Sequence, residues 1–202
     1  MIKSKRDLKY YLEADKIAMD VKGRRPHLIA RYESDYIWKF QRALRYTEYY
    51  HNCKRGGICY PIYKLWQYRL FRLQLKCGFG IPINVFGPGL SISHLGPIVI
   101  NGFAKVGKNC RLHPMTCIGV NGHTNEVATI GDNVYLSTGV KVIGPVTVAD
   151  GVCLGANAVV TKSIDEENTT WGGVPAKKIS DEGSPFPMNR RGADIAKREG
   201  KL

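Results

Sequence analysis

From Ile100 to Val160 every sixth residue is aliphatic, with one exception: Ile100, Val106, Leu112, Ile118, Thr124, Ile130, Leu136, Val142, Val148, Leu154 and Val160. Four residues after each of the first ten stands a small or compact side chain: Ala104, Cys110, Thr116, Gly122, Ala128, Val134, Val140, Val146, Val152 and Ala158. A period of six fits neither the 3.6-residue helix nor the two-residue alternation of an isolated strand. It fits a triangular β-helix, in which three short strands complete one coil and each strand with its corner takes six residues. The aliphatic residue fills the interior of a face, and the small one fits the crowded approach to a corner. One position before the small residue come Asn109, Asn121, Asn133, Gly139, Gly151 and Asn157. Those residue types accept positive φ with the least strain, as a corner requires. A β-sandwich does not produce this pattern, because alternation never generates a period of six.

From about Ile81 the repeat has room for five to six coils of about 18 residues each. The polar stretch Val120–Thr129 contains Asn121, Gly122, His123, Thr124, Asn125 and Glu126, and reads as a loop extruded from a corner. Its ends keep the phase of the repeat, so a coil without a loop also satisfies the pattern. Before Gly78 the reading is helical. Ser4 is placed to cap a helix from Lys5 to about Met19, with Leu8, Tyr11, Leu12 and Ala18 on its apolar side. Lys22–Pro26 is a basic break, and a second helix from about Asp35 to Asn52 carries Ile37, Phe40, Leu44 and Thr47 at helical spacing. Gly56-Gly57 ends it. A third helix, about Pro61–Lys76, carries Ile62, Leu65, Trp66, Arg69, Leu70, Leu73 and Gln74 around a wide stripe. The expected class is α+β: residues 1–80 a basic helical domain, 81–180 a parallel β-helix, and 181–202 a polar tail, mobile or weakly packed.

The net charge of +13 is concentrated at one end. Residues 1–80 hold 18 Lys and Arg against 7 Asp and Glu, residues 81–180 hold 7 against 6, and the tail 5 against 4. Such a field suits nucleic acid, an anionic membrane surface or an acidic small substrate, or is simply a solvated helical face. The Tyr and Trp residues between 32 and 71 keep helix spacing and read as packing surface, which argues against nucleic acid. No apolar run of 18 residues could span a membrane, and Met1–Lys9 has no apolar leader. The expected location is cytoplasmic, at the inner face of the membrane if the basic segment docks there. Six cysteines without CxxC spacing suggest neither a disulfide framework nor a structural zinc site, and Cys110, on a small-residue position, reads as a buried thiol.

The stretch Leu90–Asn101, LSISHLGPIVIN, resembles the active-site coil of the serine acetyltransferase family of hexapeptide-repeat acyltransferases. Gly155–Lys162 and Gly173-Val174-Pro175-Ala176-Lys177 resemble that superfamily's CoA-binding coils and closing motif. The likeness covers about residues 79–180 and extends faintly to Asp7-Leu8…Asp15 upstream. It implies that the β-helix is left-handed, against the usual crossover preference, and that the chain is a homotrimer with acetyl-CoA held between neighbouring subunits. His94 would be the general base that takes the proton of an acceptor hydroxyl as it attacks the thioester, with backbone N–H groups stabilising the oxyanion. Gly119, Thr138 and Ala156 match positions lining the CoA groove. Thr161, Lys162 and Lys177 match those reaching its phosphate and adenosine end, with Lys178 an adjacent cation. No metal is implied.

Several family positions are replaced. The Asp that orients the catalytic His from one coil earlier corresponds to Phe79, leaving a backbone carbonyl or Asn84 to orient His94. The Asp preceding the His is Ser93, and the loop's Arg-His pair falls near Glu126 and Val127. Asp15 survives from the acceptor set, with Ser93, His113 and His123 as further acceptor contacts. Loss of most groups that recognise an amino acid favours O-acetylation of a sugar or surface-polysaccharide precursor. Serine O-acetylation in cysteine biosynthesis is the alternative, and a β-helix scaffold that has lost its chemistry is a third reading. Trimeric β-helical zinc carbonic anhydrases need three His at a subunit interface. This region offers His94, His113 and His123 without the close pair such a site needs.

Overall fold

The period of six is realised as three stacked faces of a β-helix, preceded by three helices. The computed structural model describes residues 1–21, 30–185 and 189–200, so the basic break expected at Lys22–Pro26 lies outside the described residues. Ser4 Oγ accepts from the Asp7 N–H at 3.0 Å and opens α1, Lys5–Ala18. The second helix, α2, spans Glu33–Cys53. It begins earlier than expected because the Asp35 carboxylate reaches back to the N–H groups of Arg31 (2.8 Å) and Tyr32 (3.3 Å). A short 3₁₀ turn, Gly57–Cys59, leads into α3, Tyr60–Cys77, which stops at Gly78 in the left-handed region with φ 75°.

The expected face of α2 is the buried one: Ile37, Phe40, Leu44 and Thr47 all lie inside. In α3 the outcome differs. Tyr63, Leu70 and Cys77 are buried, whereas Ile62, Leu65 and Arg69 of the expected stripe are exposed. Apolar residues occur almost all round this helix, so spacing alone does not select a face.

The strands follow as β1 (Phe79–Gly80), β2 (Ser91–Ile92), β3 (Ile98–Ile100), β4 (Lys105–Val106), β5 (Arg111–Leu112), β6 (Cys117–Gly119) and β7 (Thr129–Ile130). Then come β8 (Tyr135–Leu136), β9 (Lys141–Ile143), β10 (Thr147–Val148), β11 (Cys153–Leu154), β12 (Val159–Val160), β13 (Thr170–Gly172), β14 (Lys177–Ser180) and a last helix, α4 (Gly192–Arg198). The first face is β1-β3-β6-β9-β12, the second β4-β7-β10, and the third β2-β5-β8-β11-β13. Every pair within the faces is parallel, and only β14 turns back antiparallel on β13. All the aliphatic positions of the repeat are buried, and so are the small ones apart from Gly122. Asn109, Asn133, Gly139, Gly151 and Asn157 take positive φ at the corners as expected. Asn121 does not. It lies beside Gly122, which takes that conformation instead, and Met115 adopts φ 66° at a corner where no Asn or Gly is available.

The exception in the series has a physical cause. Ile118 and Ile130 are consecutive interior residues of β6 and β7, separated by twelve positions where Ile100 and Val106 are separated by six. One extra hexad has been extruded, residues 120–126 are exposed, and Thr124 points into no core. Because the insertion is a whole hexad, the phase survives on both sides.

The tail departs from expectation. α4 buries Gly192, Ala193 and Ala196 against α1, and a Cβ on Gly192 would collide with the Ala14 carbonyl. Asn109 accepts from the Ala193 N–H and donates to Asp194, both at 2.8 Å, and buried Asn189 donates to the Asn109 carbonyl at 2.9 Å. The small residues of a polar tail thus permit close helix contact that composition does not reveal.

Candidate active site

Strand register places Ile92, Leu112, Leu136 and Leu154 in one interior column of the third face. Two residues beyond them, His94, Pro114, Thr138 and Ala156 stand at the same corner of four successive coils. With about 4.8 Å between strands, His94 is about 14 Å along the prism from Ala156. On the far margin of the first face, Gly119, Ile143 and Thr161 form a second column. The residues matched to a CoA groove therefore flank one face, with His94 at its upper corner. A Cβ on Gly119 would meet only Cys117 Sγ, at 3.8 Å, so the space beside it is open. Thr138, Ala156, Thr161, Lys162 and Lys177 are exposed. Lys178 is exposed too, with its ammonium paired to Asp181 at 2.6 Å and to Glu166, which raise it above the ordinary lysine range.

The corner that carries His94 is larger than those below it. From Ile92 to Val99 the chain takes seven steps, against five between their strand partners Leu112 and Cys117. Two extra residues push the turn outward. By the period alone, His94 lies six before Ile100 and should point inward; instead Ile92 is interior and the His94 side chain is 61% exposed. Its Nδ1 meets Glu33 Oε1 at 2.7 Å, and the Leu95 N–H reaches Glu33 Oε2 at 3.4 Å. The hydrogen bond from His94 is the main cause that lowers the Glu33 carboxyl below its usual range. His94 Nε2 makes no hydrogen bond among the described residues.

Next to His94 is a second imidazole, His113, with ring centroids 6.4 Å apart. His113 Nε2 is 3.1 Å from Ser93 Oγ and 2.9 Å from the Tyr135 hydroxyl, so three successive coils contribute to one polar cluster. Burial chiefly, then the Arg111 and His94 charges, push His113 down to about 4, which keeps it neutral at ordinary pH. Of the expected acceptor contacts, Ser93 and His113 are thus brought together beside His94. His123 is in the exposed loop, its backbone N–H bonded to Asn121 Oδ1 at 3.0 Å, and joins no hydrogen bond or ring contact of this cluster among the described residues.

Asp15 requires correction. It is wholly buried, 2.7 Å from Arg45 Nε, and accepts the Gly89 and Leu90 N–H groups at 2.8 and 2.9 Å. Arg45 also binds Glu48 at 3.0 Å and the carbonyls of Phe86 and Gly87. This network locks α1 and α2 onto the first coil and leaves no carboxylate oxygen facing solvent. Nor does Asn84 or a backbone carbonyl orient His94, whose Nδ1 is held by Glu33. Asn84 pairs with Asn52 at 2.8 and 2.9 Å, and Phe79 is a core residue edge-on to Phe40 at 5.0 Å. Sequence reasoning missed Glu33 because a helix-start carboxylate carries no repeat or motif signal. Tyr135 was visible only as an outward position one coil below His113.

Residues 128–162 match the family described as bacterial transferase hexapeptide (six repeats). The curated relatives are more particular. A serine acetyltransferase of Staphylococcus xylosus is 32% identical over 134 residues, covering 62% of each chain. One of Mycobacterium tuberculosis is 28% identical over 154 residues, covering 64% of this chain and 67% of its own. The chain therefore spans about three fifths of the length of the Staphylococcus xylosus relative it matches. Among solved structures, a serine acetyltransferase of Brucella abortus strain S19 superposes with a TM-score of 0.62 at 22% identity, over 88% of this chain and 69% of its own. The same enzyme in complex with coenzyme A superposes at 0.64 and 21%, over 89% and 68%. These similarities support a helical region followed by a β-helix.

Proposed function

We propose that this chain is an acetyl-CoA-dependent O-acetyltransferase in which His94 is the general base and L-serine the acceptor. The observation that carries it is the corner column: an exposed imidazole, held at Nδ1, on the same edge of the prism as Thr138 and Ala156. The sugar acceptor expected from the sequence gives way, because the curated relatives are serine acetyltransferases. A solved neighbour binds coenzyme A, which supports acetyl-CoA as the donor. His94 Nε2 removes the hydroxyl proton while the oxygen attacks the thioester carbonyl. The resulting tetrahedral adduct expels the CoA sulfur, which takes the proton back from the imidazolium. The products are the acetyl ester and CoA thiol. In this reading exposed Lys162 and Lys177 bind the donor's phosphates, and Ser93 and His113 contact the acceptor.

The β-helix is left-handed and the protein a homotrimer in this reading. Support comes from the outer side of α3, where Leu65, Tyr68, Phe71 and Leu75 are exposed, and from Val99 on the first face. Apolar surface of this extent calls for a partner. Light scattering at three times 22.6 kDa supports the trimer. Flotation with anionic vesicles would instead assign this surface, with its flanking Arg69, Arg72 and Lys76, to a membrane.

The direct test is CoA thiol release from acetyl-CoA with L-serine, alongside His94→Ala. Serine-dependent release that falls by about 10³-fold or more in the variant supports the reading. Retained CoA binding with no release on serine overturns the acceptor assignment. Retained binding with no release on any hydroxyl compound leaves a scaffold.

A further inference from the structure

His94 lacks the carboxylate that a neighbouring coil would supply, since that position holds Phe79 inside the core. A carboxylate reaches it from elsewhere. Glu33 is the first residue of α2, and helix N-termini favour negative charge. It is not consumed in capping that helix, because Asp35 takes the Arg31 and Tyr32 N–H groups. Glu33 is thereby left to turn onto the enlarged corner, accepting from His94 at one oxygen and from the Leu95 backbone at the other. The helix it starts from is firmly seated on the coil that carries His94. Gln41 donates to the Leu90 carbonyl at 2.6 Å, and Arg45 to those of Phe86 and Gly87 at 2.9 and 2.7 Å. Ile37 and Phe40, between these anchors and Glu33, are buried.

We infer that Glu33 is the positioning residue of the general base. Its carboxylate holds the proton of His94 on Nδ1 and so keeps the Nε2 lone pair directed at the acceptor. The helical domain, rather than the β-helix, thus completes the site. The inference depends on the proposed acetyl transfer only for its kinetic consequence, and the tautomer it fixes is measurable without turnover. An isolated imidazole prefers the proton on Nε2, so a carboxylate at Nδ1 reverses the natural preference.

The test is long-range ¹H–¹⁵N NMR of histidine-labelled protein at alkaline pH, with His94→Gln for assignment, together with steady-state kinetics of Glu33→Ala and Glu33→Asp. Native protein should show His94 protonated at Nδ1, and Glu33→Ala a majority protonated at Nε2. In Glu33→Ala, kcat should fall by about 10–100-fold with the KM for acetyl-CoA unchanged within about twofold, and Glu33→Asp should recover part of the loss. Glu33 is a surface residue, so the melting temperature should stay put and a folding defect should not obscure the result. An unchanged tautomer, or unchanged kcat in Glu33→Ala, overturns the inference. If native protein transfers acetyl to nothing, the functional reading fails while the tautomer still decides the role of Glu33.

Discussion

Two residues near the site carry opposite lessons about charge. Asp15 is matched by spacing to an acceptor contact but buried in an ion network. Burial raises its carboxyl, and Arg45 and two backbone N–H groups oppose that shift. Removing one partner of such a pair strands a buried charge, so Asp15→Ala should cost about 3–5 kcal/mol. Denaturant titration will show this as a lower midpoint, and any active fraction should keep its KM for acceptor. A raised KM at unchanged stability would restore Asp15 to the acceptor site. For His113 the sign runs with acid. Its folded value is depressed to about 4 from an ordinary 6.5, so the unfolded chain binds the proton first as pH falls. Stability contributed by neutral His113 is fully present above about 6.5 and lost as pH falls toward 4. The group is only half-buried, so the loss should be about 1–2 kcal/mol after allowance for solvent screening. Unfolding midpoints between pH 7 and 4 should decline less steeply in His113→Gln than in the native chain.

At the level of elements, insertions follow the hexad. The loop at 120–126 adds six residues between β6 and β7 without disturbing the pairing of Cys117 with Lys141 or of Lys105 with Thr129. Deleting Asn121–Glu126 removes one hexad and should leave the fold intact, with the melting temperature within about 4 °C of native, since loop length has a small entropic effect. Circular dichroism will check this, and deletion of four residues instead should be far more damaging because it breaks phase. The corner at His94 works differently. Its two extra residues are not a hexad, and the chain absorbs them by swinging outward through Gly96, at φ 140°, before rejoining the register at Ile98. That local misfit lifts the imidazole out of the core position its number predicts.

At the scale of the molecule, one large core joins α2, α3 and the prism, with two smaller clusters beside it: Ile2, Leu8 and Tyr11, and Ala14, Ala193 and Ala196. Ile37, Phe40 and Leu44 of α2 and Leu70 of α3 join the interior column of the prism, from Phe79 to Ile164, in a single apolar cluster. The helical segment and the β-helix should therefore unfold together. One calorimetric transition, coincident by circular dichroism and tryptophan fluorescence, is expected, and two separated transitions would show independent domains. The sequence by itself determined the prism, its interior and most of its corners, because a repeat in sequence becomes a repeat in space when each coil packs only on its neighbours. The resemblance, not the repeat, singled out His94, Thr138 and Ala156, and strand register stacks them at one corner. Only the tertiary structure decided that Asp15 is structural, that the tail folds onto α1, and that Glu33 stands against His94. Those outcomes join residues about 30 to 180 positions apart on elements of different period. No local pattern encodes such meetings, which are set by how the helices dock on the first coil.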